Sequence, residues 1–346
     1  MAIAETTKPE PQIEPATAPA KKETILSGMQ PTGALHIGNL EGALRNWVRL
    51  QDQYWMYLCI VDWHALTGEW EDTSALKDNI YQMAIDWLAA GIDPEKCAVF
   101  IQSEVKEHVE LHWLFSVMIT VPTLTRLPTY QEKKDTLDSY GFLGYPVLQA
   151  ADICLYNANK VPVGKDQEKH IWLANDLAKR FNTTYKKVFA EPEAMFTTIP
   201  LILGSDNRKM SKSYGNHIPI EATEKQTEKI LRGYYTDPKK LRQGDPGTPE
   251  VCPVYLLHRI YTDKATTENE IASGCRSGAL GCVDCKMKLV GNLNGALAPI
   301  REKRAELVKQ PDFVWDVLKT GAERARQRAQ NVMGKVRTAM KMDYRK

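Results

Sequence analysis

The stretch Thr24-Ile25-Leu26-Ser27-Gly28-Met29-Gln30-Pro31-Thr32-Gly33-Ala34-Leu35-His36-Ile37-Gly38-Asn39 decides the fold. Thr24 to Gly28 reads as a short buried strand ending in glycine. A turn with Pro31 and Gly33 follows, and a helix starts near Gly38. In an open α/β sheet that turn lies at the carboxyl edge of the first strand. Backbone N–H groups and the helix dipole there favour an anion. Working outward, Tyr54 to Asp62 and Cys97 to Gln102 are further apolar runs. Lys160 to Gly164 and Ile199 to Gly204 are candidates for later strands. Runs apolar on both faces predict a parallel sheet covered on both sides.

Helical periods fall between these runs. Thr73 caps a pattern with Leu76, Ile80, Met83, Ala84, Trp87 and Leu88 on one face, and Gly91 and Pro94 end it. Lys165 to Phe181 repeats the pattern. The alternation predicts a doubly wound, parallel, Rossmann-like α/β domain over residues 23–220. After Ile220 the strand runs stop. Two long amphipathic stretches, Val283–Val308 and Phe313–Met340, predict an α-helical domain over residues 221–346. Residues 1–22, with Pro9, Pro11, Pro15 and Pro19 and few large apolar groups, predict a disordered tail.

The chain has 346 residues, 43% hydrophobic and 25% charged, which fits two globular domains. Its 45 basic and 43 acidic residues exclude a histone-like polycation and an acidic disordered protein. A nucleic-acid partner remains open, because a local basic face suffices. Arg301 to Lys346 holds 13 basic and 6 acidic residues. Arg324, Arg326 and Arg328 there offer phosphate contacts, with a solvated helix face as the plainer alternative. No apolar run of membrane-spanning length and no secretory signal occur, so a cytoplasmic, reducing location is expected.

Two segments suit phosphate chemistry. His36-Ile37-Gly38-Asn39 puts neutral polar side chains at a helix start, and Gly38 lets a flat ring approach the backbone. Simple capping by Asn39 is the alternative. Lys209-Met210-Ser211-Lys212-Ser213 is a cationic loop able to close on a polyphosphate and meet charge growing on a leaving pyrophosphate. A solvated basic turn is the alternative there. The dinucleotide pattern G-x-G-x-x-G and the P-loop are both absent, which counts against hydride transfer and P-loop hydrolysis.

Of seven cysteines, Cys59, Cys97 and Cys154 sit in apolar runs and are expected in the core. Cys252, Cys275, Cys282 and Cys285 are separated by 22, 6 and 2 residues and suit Zn²⁺ or an Fe–S cluster. His108 and His112, four apart, lack a third ligand and are read as surface or packing residues.

The two phosphate segments resemble the paired signatures of the class I aminoacyl-tRNA synthetases. By composition alone the second pentapeptide arises by chance in roughly one chain of this length in several thousand. The detail is similar to the tryptophanyl-tRNA synthetase family through SGMQPTGALHIGN, CIVDWHALT, YPVLQAADICLY, VPVGKDQEKH and RKMSKS. The tyrosyl family reads differently in the third and fourth of these.

The resemblance implies activation of L-tryptophan with ATP, then transfer to tRNA(Trp), by a homodimer. It assigns the indole N–H to Asp152, a sensible acceptor for a donor-only ring. It gives the α-amino group to Tyr145 and Gln167, and places His64, Gln149, Val161 and Val163 around the ring. Gln149 stands where the family often has Met. For ATP it implies Gln30, His36, Gly38, Asn39, Asp166, Lys209, Met210, Ser211 and Lys212. Lys133, Lys209 and Lys212 serve as catalytic cations beside Mg²⁺. The four late cysteines look like the [4Fe–4S] site of a bacterial subset, with zinc second. Two other readings compete: a different adenylate-forming enzyme, and a non-catalytic tRNA-binding paralogue.

Overall fold

In the computed structural model, residues 22–344 are described apart from 138, 165–166, 197–201, 241 and 243. Of the expected tail only Lys22 falls within them, and it donates to the Asp52 carbonyl. Five strands form one parallel sheet: β1 (Thr24–Met29), β2 (Trp55–Ile60), β3 (Cys97–Ile101), β4 (Lys160–Val163) and β5 (Glu193–Phe196), in the order β3-β2-β1-β4-β5. The strand order reverses between β1 and β4. A ligand crevice is expected there, outside the carboxyl ends of the strands.

Four of the expected strands are found. The fifth differs. The sheet takes Glu193–Phe196 rather than Ile199–Gly204, in which Leu203 only bridges Lys209 and residues 199–201 lie outside the described residues. The short edge strand β5 has an exposed residue at each end, so it lacks the continuous apolar signature of the others.

Between β1 and β2 lie α1 (Ile37–Asn39), a wider turn at Leu40–Leu44 and α2 (Arg45–Leu50). After β2 come α3 (Asp62–Glu69) and α4 (Leu76–Ala89). After β3 come α5 (Glu107–Ser116), α6 (Val121–Thr125), α7 (Pro128–Lys133) and α8 (Tyr140–Leu155), and α9 (Glu168–Thr184) follows β4. The rest is helical: α10 (Glu224–Arg232), α11 (Pro253–Tyr261), α12 (Lys264–Thr266), α13 (Ser273–Ser277), α14 (Cys282–Leu307) and α15 (Pro311–Ala339).

Alternate strand residues feed two apolar layers. Ile25, Met56, Leu58, Ile60 and Val99 pack on one side with α4 and α14. Leu26, Tyr57, Cys59, Phe100 and Val161 pack on the other with α5, α8 and α9. That is the two-sided burial predicted from the runs. Helix α15, grouped by the expected division with residues 221–346, lies against β3. Its Val314, Val317 and Leu318 join the first layer, and its Ala322, Ala325, Ala329, Val332 and Val336 join the second. The helix therefore wraps the outer edge of β3 and covers a strand edge that would otherwise be open to pairing.

Arg324, Arg326 and Arg328 serve that docking. They donate to the carbonyls of Pro94 (2.6 Å), Glu104 (2.7 Å) and Tyr156 (3.2 Å). Each is therefore tied to the chain on one side while remaining partly exposed.

Candidate active site

A cavity of about 360 Å³ opens at the carboxyl ends of β1 and β4, where the strand order reverses. Its walls bring together all seven residues expected around tryptophan: His64, Tyr145, Gln149, Asp152, Val161, Val163 and Gln167. Gln30, Gly28, Asn46 and Trp47 complete the side toward β1 and α2. The local sequence accounts for the placement. Tyr145, Gln149 and Asp152 recur at intervals of four and three on α8, so they share one helical face. Ser139 starts that helix by accepting from the Phe142 N–H.

Tyr145 and Gln167 are tied through one histidine. The His170 Nδ1 lies 2.9 Å from Gln167 Oε1, and its Nε2 lies 3.4 Å from the Tyr145 hydroxyl and 3.2 Å from Thr129 Oγ1. The Tyr145 ring meets His170 and His64 edge-on.

Asp152 is 3% exposed, yet its carboxylate is richly bonded. His64 Nε2 donates to Oδ2 at 2.9 Å, and His108 Nδ1 donates to Oδ1 at 2.6 Å. Gln102 Nε2 donates to both oxygens at 2.9 Å. Burial pushes this carboxyl up, but the charge and hydrogen bonds of His108 and His64 outweigh it and hold the group well below the usual carboxylate range. His108 is thus a buried polar residue bonded to Asp152 and to the Tyr156 hydroxyl (2.7 Å), not a surface group. Sequence reasoning missed His108, Gln102 and Tyr156. The available signal was the spacing of His108, Leu111 and Phe115 on the buried face of α5.

The first phosphate segment forms the turn after β1. Gly33 has φ +107°, a conformation few side chains accept. His36 N–H donates to Asn39 Oδ1 at 3.1 Å, so Asn39 does cap the turn. The ring that lies against Gly38 is His36's own imidazole, and a Cβ at Gly38 would stand 2.8 Å from it. Burial, with His217 and Lys212 nearby, lowers the His36 pKa to about 4, so the ring is neutral at pH 7.

The second segment reaches this turn. Lys212 Nζ donates to the Gly33 carbonyl at 2.8 Å, and Met210 Sδ would lie 3.6 Å from a Cβ on Gly38. Ile37 N–H donates to the Ile218 carbonyl and Ile220 N–H to the Leu35 carbonyl, which stitches the two segments side by side. Buried Asn216 braces the loop. It accepts from the Ser211 N–H (2.8 Å) and donates to Asp206 Oδ1 (2.6 Å) and the Lys209 carbonyl (3.2 Å). Burial lowers the Lys212 pKa, whereas Lys209 stands exposed. Lys133, at the end of α7, is exposed and outside the cavity lining. Asp166 lies outside the described residues.

Cys252, Cys275, Cys282 and Cys285 line one small cavity with Lys240 and Lys286, both 7% exposed. Lys286 Nζ donates to the Tyr234 carbonyl at 2.6 Å, and Lys240 Nζ to the Asp245 carbonyl at 2.9 Å. The donor set has the chemistry for a thiophilic group. As they stand, no three His, Cys, Asp or Glu side chains among the described residues could hold a metal ion. Cys59, Cys97 and Cys154 are buried in the two layers, as expected.

The profile of the class I tRNA synthetases (W and Y) matches residues 18–298. The chain is similar to the tryptophan–tRNA ligase of Thermotoga maritima, 47% identical over 326 residues, covering 92% of this chain and 99% of that one. It is 38% identical to that of Aquifex aeolicus, again over 92% of this chain and 99% of the relative. Among solved structures it is similar to tryptophanyl-tRNA synthetase from Campylobacter jejuni complexed with ADP and tryptophan. The TM-score is 0.83 and the identity 35%, over 92% of this chain and 99% of that chain.

Proposed function

The chain belongs to the class I tRNA synthetases of the tryptophan and tyrosine type, and from that membership we propose that it joins L-tryptophan to tRNA(Trp). In the first step the tryptophan carboxylate attacks the α-phosphorus of ATP in line, and pyrophosphate leaves. In the second, a ribose hydroxyl of the terminal tRNA adenosine attacks the mixed anhydride and releases AMP. Neither step demands a strong general base on the protein. Catalysis rests on positioning and on stabilising charge at the leaving phosphates.

The observation that carries the reading is Asp152, an ionised, nearly buried carboxylate on the wall of a cavity with room for an indole. Indole offers one donor and no strong acceptor, and a carboxylate is its natural partner. Tyrosine presents a phenol that both donates and accepts, and gains less from an acceptor-only site. Tyr145 and Gln167 take the α-amino group, and Val161, Val163 and Gln149 face the ring. Gln30, His36, Gly38 and Asn39 take ATP on the β1 side. Asp166, Met210 and Ser211 also belong to the nucleotide site.

Lys209 and Lys212 grip the phosphates. Lys212, already at the Gly33 carbonyl, needs a short movement to reach them. Lys133 on α7 is assigned to the same task. Mg²⁺ arriving with ATP supplies further charge neutralisation.

Residues 23–220 carry ATP and tryptophan, and residues 221–346 meet the anticodon side of the tRNA while α15 also covers β3. The four late cysteines take a [4Fe–4S] cluster, with Zn²⁺ as the second choice. Their convergence and the two buried ammonium groups beside them support an anionic thiolate-held group. Iron, sulfide and zinc analysis of the purified protein decides it.

A homodimer is supported by the exposed row Val109, Trp113 and Val117 at helical spacing. No helix of the described residues is long and apolar enough to cross a membrane, and a cytoplasmic site of action fits the activity. ATP–pyrophosphate exchange run across the twenty amino acids tests the whole reading. Exchange driven by tryptophan alone is expected. Exchange driven best by tyrosine, or none at all, refutes it.

A further inference from the structure

Three side chains donate to Asp152, and they divide by position. His64 lines the cavity and approaches from the substrate side. His108 and Gln102 are each 0% exposed, do not line the cavity, and approach from behind. The rear donors are held in turn. The His108 ring stacks on Phe100 (6.2 Å between centroids), and its Nε2 is hydrogen-bonded to the Tyr156 hydroxyl. The Tyr156 ring stacks on Tyr57 at 4.4 Å. Gln102 Nε2 serves both carboxylate oxygens, and Gln102 Oε1 is left buried without a partner. An orphaned acceptor is costly, so the amide is aimed by the carboxylate rather than by its own best bonding.

We infer that His108, braced by Tyr156, is a specificity-positioning residue that holds the Asp152 carboxylate as the fixed acceptor distinguishing an indole N–H from rings that lack one. The chain of hydrogen bonds links the Tyr156 hydroxyl to His108 Nε2, and His108 Nδ1–H to Asp152 Oδ1. The acceptor-only carboxylate makes Nδ1 a donor. With the rear donors in place, the carboxylate can neither rotate nor retreat, and Oδ2 faces the cavity, where the indole N–H would share it with His64 or take the place of the His64 bond. A network of this kind rigidifies because every member is tied. The inference rests on the reading that Asp152 receives the indole.

The test compares tryptophan with its analogue carrying sulfur in place of the indole N–H, in ATP–pyrophosphate exchange with the full-length enzyme. For His108→Phe, the KM for tryptophan is expected to rise at least roughly tenfold, and the preference over the sulfur analogue to shrink by a similar factor. The KM for ATP and the rate at saturating tryptophan should stay within about threefold of wild type. His108→Asn, which keeps an N–H near the same place, should recover most of the preference. Tyr156→Phe should shift it the same way by a smaller factor. If His108→Phe fails to fold, Tyr156→Phe decides by the same ratio.

Equal loss for both substrates, or an unchanged ratio, overturns the inference. Asp152→Asn separates the two levels of argument. If it leaves the ratio intact, the indole assignment itself falls. If it collapses the ratio while the His108 and Tyr156 variants do not, only the positioning role falls.

Discussion

The wrapping of α15 around β3 gives a sharp test of the fold. Gly321 sits where the helix passes from one apolar layer to the other. A Cβ there would lie 1.8 Å from the Val99 carbonyl oxygen, 2.6 Å from its carbon and 2.9 Å from its nitrogen. Ordinary contact between heavy atoms lies at about 3.5 Å, so Gly321→Ala forces the helix outward by roughly 1.5 Å. Backbone faces backbone, and no side chain can turn aside. Val314, Val317, Leu318, Ala322 and Ala325 would all loosen together.

Overpacking costs about 1–3 kcal/mol, and a rigid clash belongs at the upper end. The helix-forming gain of Ala over Gly returns about 1 kcal/mol. The expected net loss is about 2 kcal/mol. Gly334, thirteen residues along the same helix, has nothing within 4 Å of a built Cβ. Gly334→Ala should therefore gain up to about 1 kcal/mol. Urea unfolding followed by circular dichroism reads both variants, and their midpoints should move in opposite directions. A Gly321→Ala protein as stable as wild type would refute the close crossing and the wrapped helix with it.

Two further outcomes bear on the site. Lys212→Ala should keep tryptophan binding, measured by equilibrium dialysis, while lowering tryptophan-dependent pyrophosphate exchange at least roughly tenfold, because the lost ammonium meets charge mainly in the transition state; unchanged exchange would overturn its role. His36 should titrate near pH 4 by NMR rather than near its ordinary 6.5. Its folded pKa is depressed, so its stabilising contribution is present above 6.5 and is lost as pH falls from there toward 4. A His36 resonance moving with a midpoint at 6.5 would show the ring to be solvated and its neutral role at the nucleotide turn to be mistaken.

What was legible beforehand follows from which constraints act locally. The turn at Gly33 and Gly38 is a backbone demand, so it is visible in residue types. The cavity face of α8 is a spacing of four and three, and that is visible too. Helix α5 is different: it buries Leu111, Leu114 and Phe115 as an amphipathic helix should, but it buries His108 with them and leaves Val109 and Trp113 outward. His108, read from the sequence as a surface or packing residue, proves to be packed inside, and no local pattern announces its bond to Asp152, far along the chain. The docking role of the α15 arginines was not legible either. Small residues Gly321, Ala325 and Ala329 at helical spacing mark a close backbone approach, and that approach brings the arginines within reach of backbone carbonyls. Strand β5 was displaced because an edge strand with exposed ends carries little period-two signal.

The buried histidine of α5 and the carboxylate are two sides of one physical requirement. A group that recognises a lone N–H inside an apolar cavity must stay ionised where water is scarce. Burial alone would protonate it, and a carboxylic acid offers a weaker acceptor and a competing donor. The compensation has to come from protein donors, and any donor on the cavity side competes with the substrate for the same lone pairs. His108, behind the carboxylate on Oδ1, avoids that competition, whereas His64 on the cavity side shares Oδ2 with whatever enters. A helix that delivers a polar residue inward at this point has one fewer core position for apolar residues, and some of its apolar surface then faces outward. In α5 that outward surface is the Val109–Trp113–Val117 row proposed to meet a second copy. On these two proposals, dimer contact and amino-acid discrimination would draw on opposite faces of the same helix. Polar substitutions in the row should weaken association and leave the preference for tryptophan over its sulfur analogue unchanged, if α5 is held in place by the rear donors rather than by the partner.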